Sequence, residues 1–133
     1  MKLLGSLKGL INEVAALDSV QDSIKRKRLV TIYYAGKDNG GEGYRLIEPV
    51  CLGYSKRNNL VLRAWEIEGA SWSARNDENY LPGWRLFRLD KIFTYNPTMD
   101  NFVDMRPNYN QDGDRSMISV IVNANFNNEE NLA

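Results

Sequence analysis

Cationic and aromatic side chains alternate along residues 83–92, GWRLFRLDKI, in a pattern that could bind an anionic ligand carrying a ring. In an extended strand Trp84 and Arg88 share one face, and Arg85 lies on the other. Each face therefore combines apolar area with one guanidinium. Burying an unpaired cation on an apolar strand is costly, so each arginine must reach solvent, pair with a carboxylate or bind an anion.

Similar cations and rings occur on the other extended segments of the chain. A guanidinium holds a phosphate through two hydrogen bonds, and aromatic rings stack on bases, so together they suit single-stranded nucleic acid or a nucleotide. The predicted ligand-binding residues are Arg45, Tyr54, Lys56, Arg63, Trp65, Arg85, Arg88 and Lys91. Alternatively, Arg85 or Arg88 forms an ion pair within the protein and only stabilises the fold. The candidate carboxylates for such a pair are Asp90, Glu48 and Glu66.

Several kinds of chemistry are excluded by residue counts. The chain contains no histidine and one cysteine, Cys51, so it has neither a zinc site of the Cys/His type nor a histidine-activated nucleophile. Cys51 lies between Val50 and Leu52, which predicts a buried, unreactive thiol. Pairs of carboxylates, such as Glu66 and Glu68, have no activated nucleophile near them in the sequence. We expect no catalytic residues, no bound metal, no cofactor and no enzyme activity.

Length and composition are typical of one globular domain. The chain has 133 residues, 43% hydrophobic and 26% charged. It lacks a run of roughly 18 apolar residues and a signal-peptide pattern, so we expect a cytoplasmic protein without membrane contact. Residues 25–91 contain 13 Lys and Arg against 8 Asp and Glu, and the remainder contains 4 against 9. This basic centre with acidic flanks is compatible with anion binding.

Helical periodicity is confined to the start of the chain. Apolar residues recur at helical spacing over residues 3–17. Asp18 or Ser19 could cap a second helix that buries Val20 and Ile24 and ends in the basic run 25–28. Residues 1–28 are therefore predicted to form N-terminal helices that pack on the rest of the fold.

The remaining chain is predicted to be mainly β. Strands are expected at residues 29–34, 44–54, 60–67, 83–90, 91–95 and 117–126. Residues 36–43, GKDNGGEG, predict a hairpin turn, and Pro49 must lie at an edge or a bulge. We expect an α+β chain with N-terminal helices, a small five-stranded, strongly bent barrel at residues 29–96, and an irregular tail at 97–133 that adds an edge strand.

Two sequence blocks carry a resemblance to a known family. Residues 45–49, RLIEP, followed by residues 85–92, RLFRLDKI, resemble the WYL domain family, which has an Arg-x-x-x-Pro segment and a later Arg-x-Phe-Arg-Leu-Asp-Arg-Ile block. The resemblance covers residues 20–95. The chain departs from the family at its name-giving tripeptide, where it reads Leu60-Val61-Leu62, and the next aromatic is Trp65. This puts a ligand role for the motif's tyrosine in doubt.

The resemblance implies an Sm-like barrel that binds nucleic acid or nucleotide-like ligands, often as a sensor module. We therefore expect a non-enzymatic, regulatory binding module for single-stranded DNA, single-stranded RNA or a nucleotide, with a host or viral protein as a further partner. The loops and tail look like those of small proteins of bacterial viruses, which would place the chain in the host cytoplasm or the virion. The alternative is a viral structural or accessory assembly protein that forms homo-oligomers through barrel edges such as residues 117–126.

Overall fold

The structure, a computed structural model, describes residues 17–69 and 81–126. It begins with helix α1, residues 17–26, and continues mainly as strands. The helix predicted at residues 3–17 and most of the loop before Pro82 lie outside the described residues. The strands are β1 Arg28–Tyr34, β2 Gly43–Ser55, β3 Leu60–Gly69, β4 Gly83–Arg88, β5 Ile92–Asn101 and β6 Met117–Asn123. A 3-10 turn, Leu89–Lys91, joins β4 to β5.

The strands form one antiparallel sheet in the order β4-β3-β2-β1-β5, and β6 pairs with β2. β2 changes partner along one edge: its first half pairs with β1 from Gly43 to Ile47, and its second half pairs with β6 from Cys51 to Ser55. Pro49 lies between these two halves, at a bulge in the pairing with β3. Proline has no backbone N–H to donate, so it fits at a bulge, where the regular hydrogen bonding between strands is interrupted. The sequence predicted an edge or a bulge for Pro49.

The predicted closed barrel is not present, because the sheet described here is open. β4 and β5 are its two ends, and they do not pair with each other. Alternating side chains define strands, but closure depends on strand tilt and register, which the alternation does not encode. The predicted edge strand is confirmed as β6, which approaches β2 so closely that a Cβ at Gly53 would overlap the Ser119 carbonyl oxygen.

β5 is longer than the sequence predicted. It continues past Tyr95 to Asn101, and Pro97 pairs with Val30 of β1. Because β5 is an end strand, proline can occupy it without breaking a central ladder. The composition of residues 96–101 suggested an irregular tail, but pairing with β1 extends the strand.

Helix α1 contributes Val20 and Ile24 to the hydrophobic core, and both are fully buried as predicted. Asp18 lies within the helix and does not precede it, so the predicted cap position is wrong. The helix ends at Arg26, and the next residue, Lys27, has a positive φ of 55° and donates its backbone N–H to the Ile24 carbonyl at 3.2 Å. The core buries apolar side chains from α1 and all six strands or their flanks: Val20, Ile24, Val30, Ile32, Tyr34, Ile47, Val50, Cys51, Leu52, Val61, Leu62, Ala64, Phe87, Leu89, Phe102, Met117 and Ala124.

Candidate functional site

Strands β3 and β4 present alternating residues on two faces. Val61 pairs with Arg88, and Trp65 pairs with Trp84, so these four side chains lie on one face of the sheet. The other face includes Arg85, which is buried. The predicted alternation is therefore confirmed for Gly83–Arg88, whereas the predicted strand 83–90 gives way to the 3-10 turn at Leu89–Lys91. The alternation separates the predicted site residues into two groups.

Arg45 and Arg85 lie in a buried ion cluster around Glu66. Each guanidinium donates to Glu66 Oε1, at 3.1 Å from Arg45 and 3.1 Å from Arg85. Burial raises the pKa of Glu66, and the two guanidiniums oppose that rise. The second carboxylate oxygen, Oε2, is buried without a hydrogen-bond partner. The cluster joins β2, β3 and β4, so it corresponds to the structural pairing that the sequence left open for Arg85.

The hairpin between β1 and β2 completes the surroundings of Arg45. The Asn39 carbonyl accepts a hydrogen bond from Arg45 Nη1 at 2.9 Å, and the Gly41 carbonyl accepts another from Nη2. The guanidinium also lies over the rings of Tyr34 and Phe87, 5.3 and 5.5 Å from their centroids. Arg45 is therefore buried, and its guanidinium donates to groups of the protein itself.

The opposite face opens into a cavity of about 680 Å³ between β3, β4 and the segment that precedes β6. Trp84 and Tyr109 stack in its wall, with centroids 6.2 Å apart and ring planes 25° apart. Trp84 Nε1 donates to the Pro107 carbonyl at 2.8 Å, and the Tyr109 hydroxyl donates to the Ala124 carbonyl at 2.6 Å. These bonds hold both rings in place. We call this cavity the Arg63 groove; its described lining residues are Arg63, Trp84, Asn108, Tyr109, Asn110, Asp114 and Arg115.

Two arginines of the Arg63 groove differ in their partners. Arg63 forms a bidentate pair with Asp114, at 2.8 and 3.1 Å, and also donates to the Ser116 hydroxyl at 2.8 Å. Although burial alone would raise it, the pKa of Asp114 is lowered by the Arg63 hydrogen bonds and the Ser116 backbone N–H. Arg115 is exposed and forms no ion pair with any described residue. Among the described residues, the groove thus contains one arginine that a carboxylate neutralises, Arg63, and one that is available to a ligand, Arg115.

Trp65 lies behind the groove. Its ring contacts that of Trp84 edge to face at a centroid distance of 5.1 Å, and the Arg106 guanidinium lies 5.5 Å from the Trp65 ring. Arg106 forms a second bidentate pair with buried Glu48, at 2.9 and 2.6 Å. Trp65, a predicted ligand-binding residue, therefore contacts Trp84 and is not among the described lining residues of the groove.

The other predicted site residues are dispersed. Arg88 forms a bidentate pair with Asp90, at 3.1 and 2.7 Å, on the surface. Lys91 and Lys56 are exposed in turns. Tyr54 pairs with Leu60, one position before Val61, so it points to the face opposite Arg88. The structure brings only Arg63 of the predicted cations into the groove.

Sequence reasoning missed most of the groove lining, because it comes from the tail. Asn108, Tyr109, Asn110 and Arg115 lie in the sequence RPNYNQDGDR, which suggested only an irregular segment. The composition of this segment could have indicated a binding role, because amide side chains and an aromatic ring lie between two arginines. Its position over β3 and β4 depends on contacts such as Arg63 with Asp114, which are distant in sequence.

Cys51 is almost fully buried, and burial raises the pKa of its thiol to about 12, with the Asp114 charge as a further cause. We therefore predict that it will react with a disulfide reagent at pH 8 only after unfolding, because the thiolate is both inaccessible and scarce. The absorbance of the chromophore that the reagent releases measures the reacted thiol, in native protein and in protein unfolded by urea. Rapid modification of native protein would contradict the prediction.

Groups of three or more His, Cys, Asp or Glu side chains placed to bind a metal are absent from residues 17–69 and 81–126.

In the same part of the chain, no helix has the length and apolar character needed to cross a membrane.

Comparisons with known proteins agree with the resemblance seen in the sequence. The WYL domain pattern matches residues 15–97. Among solved structures, the chain is similar to the proteasome accessory factor B/C (PafBC) of Arthrobacter aurescens, with 23% sequence identity and a TM-score of 0.53 over 73% of this chain. The match spans 13% of the PafBC chain, and at this identity it concerns the fold. No curated protein sequence matches the chain. Because the WYL pattern covers more than half of its residues, the chain belongs to the WYL domain family.

Proposed function

We propose that the protein is a non-enzymatic regulatory module that binds single-stranded nucleic acid or a nucleotide-like ligand in the Arg63 groove. The observation that carries the proposal is the combination of a fixed aromatic pair and two arginines around one cavity of about 680 Å³. Membership of the WYL family supports a regulatory, ligand-sensing role. The fold likeness to PafBC, which is named a proteasome accessory factor, is compatible with such a role.

The groove offers complementary contacts for each part of a nucleotide. Arg115 is available to bind a phosphate, and Arg63 could bind a second one if the ligand displaces Asp114. Trp84 provides an apolar ring for a base, and the amides of Asn108 and Asn110 can donate to and accept from base edges. Cations beside a ring are the arrangement that single-strand binding requires.

The buried arginines are not part of this proposal. Arg45 and Arg85 already donate to Glu66, so the ligand site rests on Arg63, Arg115 and Trp84. Arg88 is on the same face as Arg63 and could extend the path of a longer strand. A protein partner, a cytoplasmic location and an origin in a bacterial virus belong to the proposal on the strength of the sequence alone.

Fluorescence anisotropy tests the proposal with labelled single-stranded DNA, single-stranded RNA, duplex DNA and a labelled nucleotide at two salt concentrations. We expect single strands or the nucleotide to bind more tightly at low salt. Arg115→Ala should weaken binding about tenfold and reduce the salt slope by about one, because one phosphate contact is lost.

The matched control is Arg26→Ala, which removes an exposed arginine of α1 that is paired with Asp22. It should leave both affinity and salt slope unchanged. If no probe binds at either salt concentration, or if the two variants weaken binding equally, the groove is not the ligand site.

A further inference from the structure

Three aromatic rings lie side by side on the surface of the sheet. Tyr33 of β1 is flanked by Tyr44 of β2 and Phe93 of β5, with ring centroids 4.8 and 6.4 Å away, both edge to face. Tyr44 is 61% exposed and Phe93 is 79% exposed. We call these three residues the Tyr33 patch. Apolar rings that adjoin one another in solvent are typical of a surface that binds a partner.

A cavity of about 390 Å³ opens beside Tyr44, and we call it the Glu68 pocket. Its described lining residues are Thr31, Tyr44, Arg45, Leu46, Glu68 and Gly69. Leu46 pairs with Thr31 of β1 and with Glu68 of β3, so these three side chains lie on one face. Tyr44, two positions along β2, shares that face. A bulge in the pairing of β2 with β3 separates Glu68 from Glu66, which explains why the first carboxylate is exposed and the second is buried.

The charge that the Glu68 pocket offers a ligand is negative. Glu68 is exposed and forms no ion pair with any described residue. Arg45 also lines the pocket, but its buried guanidinium already donates to Glu66 and to carbonyls of the hairpin. A phosphate would therefore meet a carboxylate here, which is unfavourable. No described residue lines both this pocket and the Arg63 groove, so the two sites can bind different ligands.

A guanidinium fits between the Tyr44 ring and the Glu68 carboxylate. The two residues are diagonal neighbours across β2 and β3, a separation of roughly 7 Å that leaves room for a planar cation. The ring attracts a cation to its π face, and the carboxylate can accept two hydrogen bonds from a guanidinium. Tyr33 and Phe93 continue the apolar surface beyond Tyr44. The site therefore favours a cation that belongs to a longer chain with apolar neighbours.

We propose that the Tyr33 patch and the Glu68 pocket together bind an arginine-bearing segment of a partner protein. The guanidinium lies between Tyr44 and Glu68, and an apolar side chain next to the arginine packs on the rings of Tyr33 and Phe93. Charge complementarity selects this occupant, because the pocket presents a carboxylate that no described cation pairs with. The proposal does not depend on ligand binding in the Arg63 groove.

A peptide array tests this proposal with the labelled full chain. Each short peptide carries a central arginine among varied apolar residues, and a matched peptide carries citrulline, which has a similar shape without the charge. We expect a subset of the arginine peptides to bind at least about tenfold more tightly than their citrulline counterparts, because only arginine makes charge-assisted hydrogen bonds to the carboxylate. Fluorescence anisotropy with the tightest arginine peptide then compares variants. Glu68→Gln and Tyr44→Ala should each weaken its binding about tenfold.

Asp100→Asn and Tyr54→Ala are the matched controls, since they remove an exposed carboxylate of β5 and an exposed tyrosine at the far end of β2. Both should bind the peptide like the unmodified protein, and so should Arg115→Ala, which changes the Arg63 groove. Arginine peptides that bind no better than citrulline peptides would overturn the proposal. So would a Glu68→Gln protein, folded by circular dichroism, that binds as tightly as Asp100→Asn. Free arginine that competes as strongly as the whole peptide would also overturn it, by assigning the pocket to a small molecule.

Discussion

Glu66→Ala is expected to lower the free energy of unfolding by about 3–5 kcal/mol, because it removes the carboxylate that pairs with the fully buried Arg45 guanidinium. Arg45 and Arg85 both donate to Glu66 Oε1, and the Arg45 side chain is fully buried. Without the carboxylate, the fold must either keep the Arg45 charge in a dry site without a counter-ion or open to hydrate it. Urea unfolding followed by circular dichroism measures the loss.

Glu68→Ala is the matched control for this prediction. Glu68 is an exposed carboxylate two positions further along β3, so its loss should change stability by less than about 0.5 kcal/mol. A Glu66→Ala protein that unfolds at the same urea concentration as the control would show that the cluster does not hold β2, β3 and β4 together.

Arg63→Ala and Asp114→Asn should change ligand affinity in opposite directions. Arg63→Ala removes a cation from the groove and should weaken binding of a single-stranded oligonucleotide about tenfold. Asp114→Asn removes the carboxylate that neutralises Arg63 and should tighten binding by a similar factor, because an incoming phosphate no longer competes with it. Anisotropy at low salt measures both affinities.

The opposite signs separate a ligand role from a structural one. Arg63 and Asp114 form one bidentate pair, so Arg63→Ala removes this interaction and Asp114→Asn removes its ionic part, and both substitutions should destabilise the fold. If the pair only stabilises the groove, both variants will lose affinity together. That result would remove Arg63 from the site while leaving Arg115 to be tested separately.

The local features of the fold were predictable from the sequence. Alternation along Gly83–Arg88 placed Arg85 on one face and Trp84 on the other, and the missing N–H of Pro49 predicted an edge or a bulge, of which the structure has the bulge. Open or closed topology was not predictable, because pairing between the end strands β4 and β5 depends on strand tilt and register, which side-chain alternation does not encode. The length of β5 was underestimated because its composition resembles a loop and its pairing with β1 determines its end.

The candidate site was only partly predictable, because a single sequence does not show which cations find carboxylates. Arg45, Arg63 and Arg85 are alike in the sequence, yet two surround Glu66 and the third meets Asp114 from the tail. Trp65 was predicted to bind the ligand, but its ring contacts Trp84, and Trp84 is the tryptophan that lines the groove. Arg115 was missed because nothing in residues 29–96 indicates that the segment before β6 covers β3.

The most direct test of the proposed site is an NMR titration of the amide and indole N–H signals with single-stranded oligothymidylate. The Trp84 indole, which donates to the Pro107 carbonyl, should shift with saturation, together with the amides of Asn110 and Arg115. Signals from the exposed residues Tyr44 and Phe93, on β2 and β5, should not move. Saturable shifts confined to those two strands, or no shifts at all, would contradict a ligand site in the Arg63 groove.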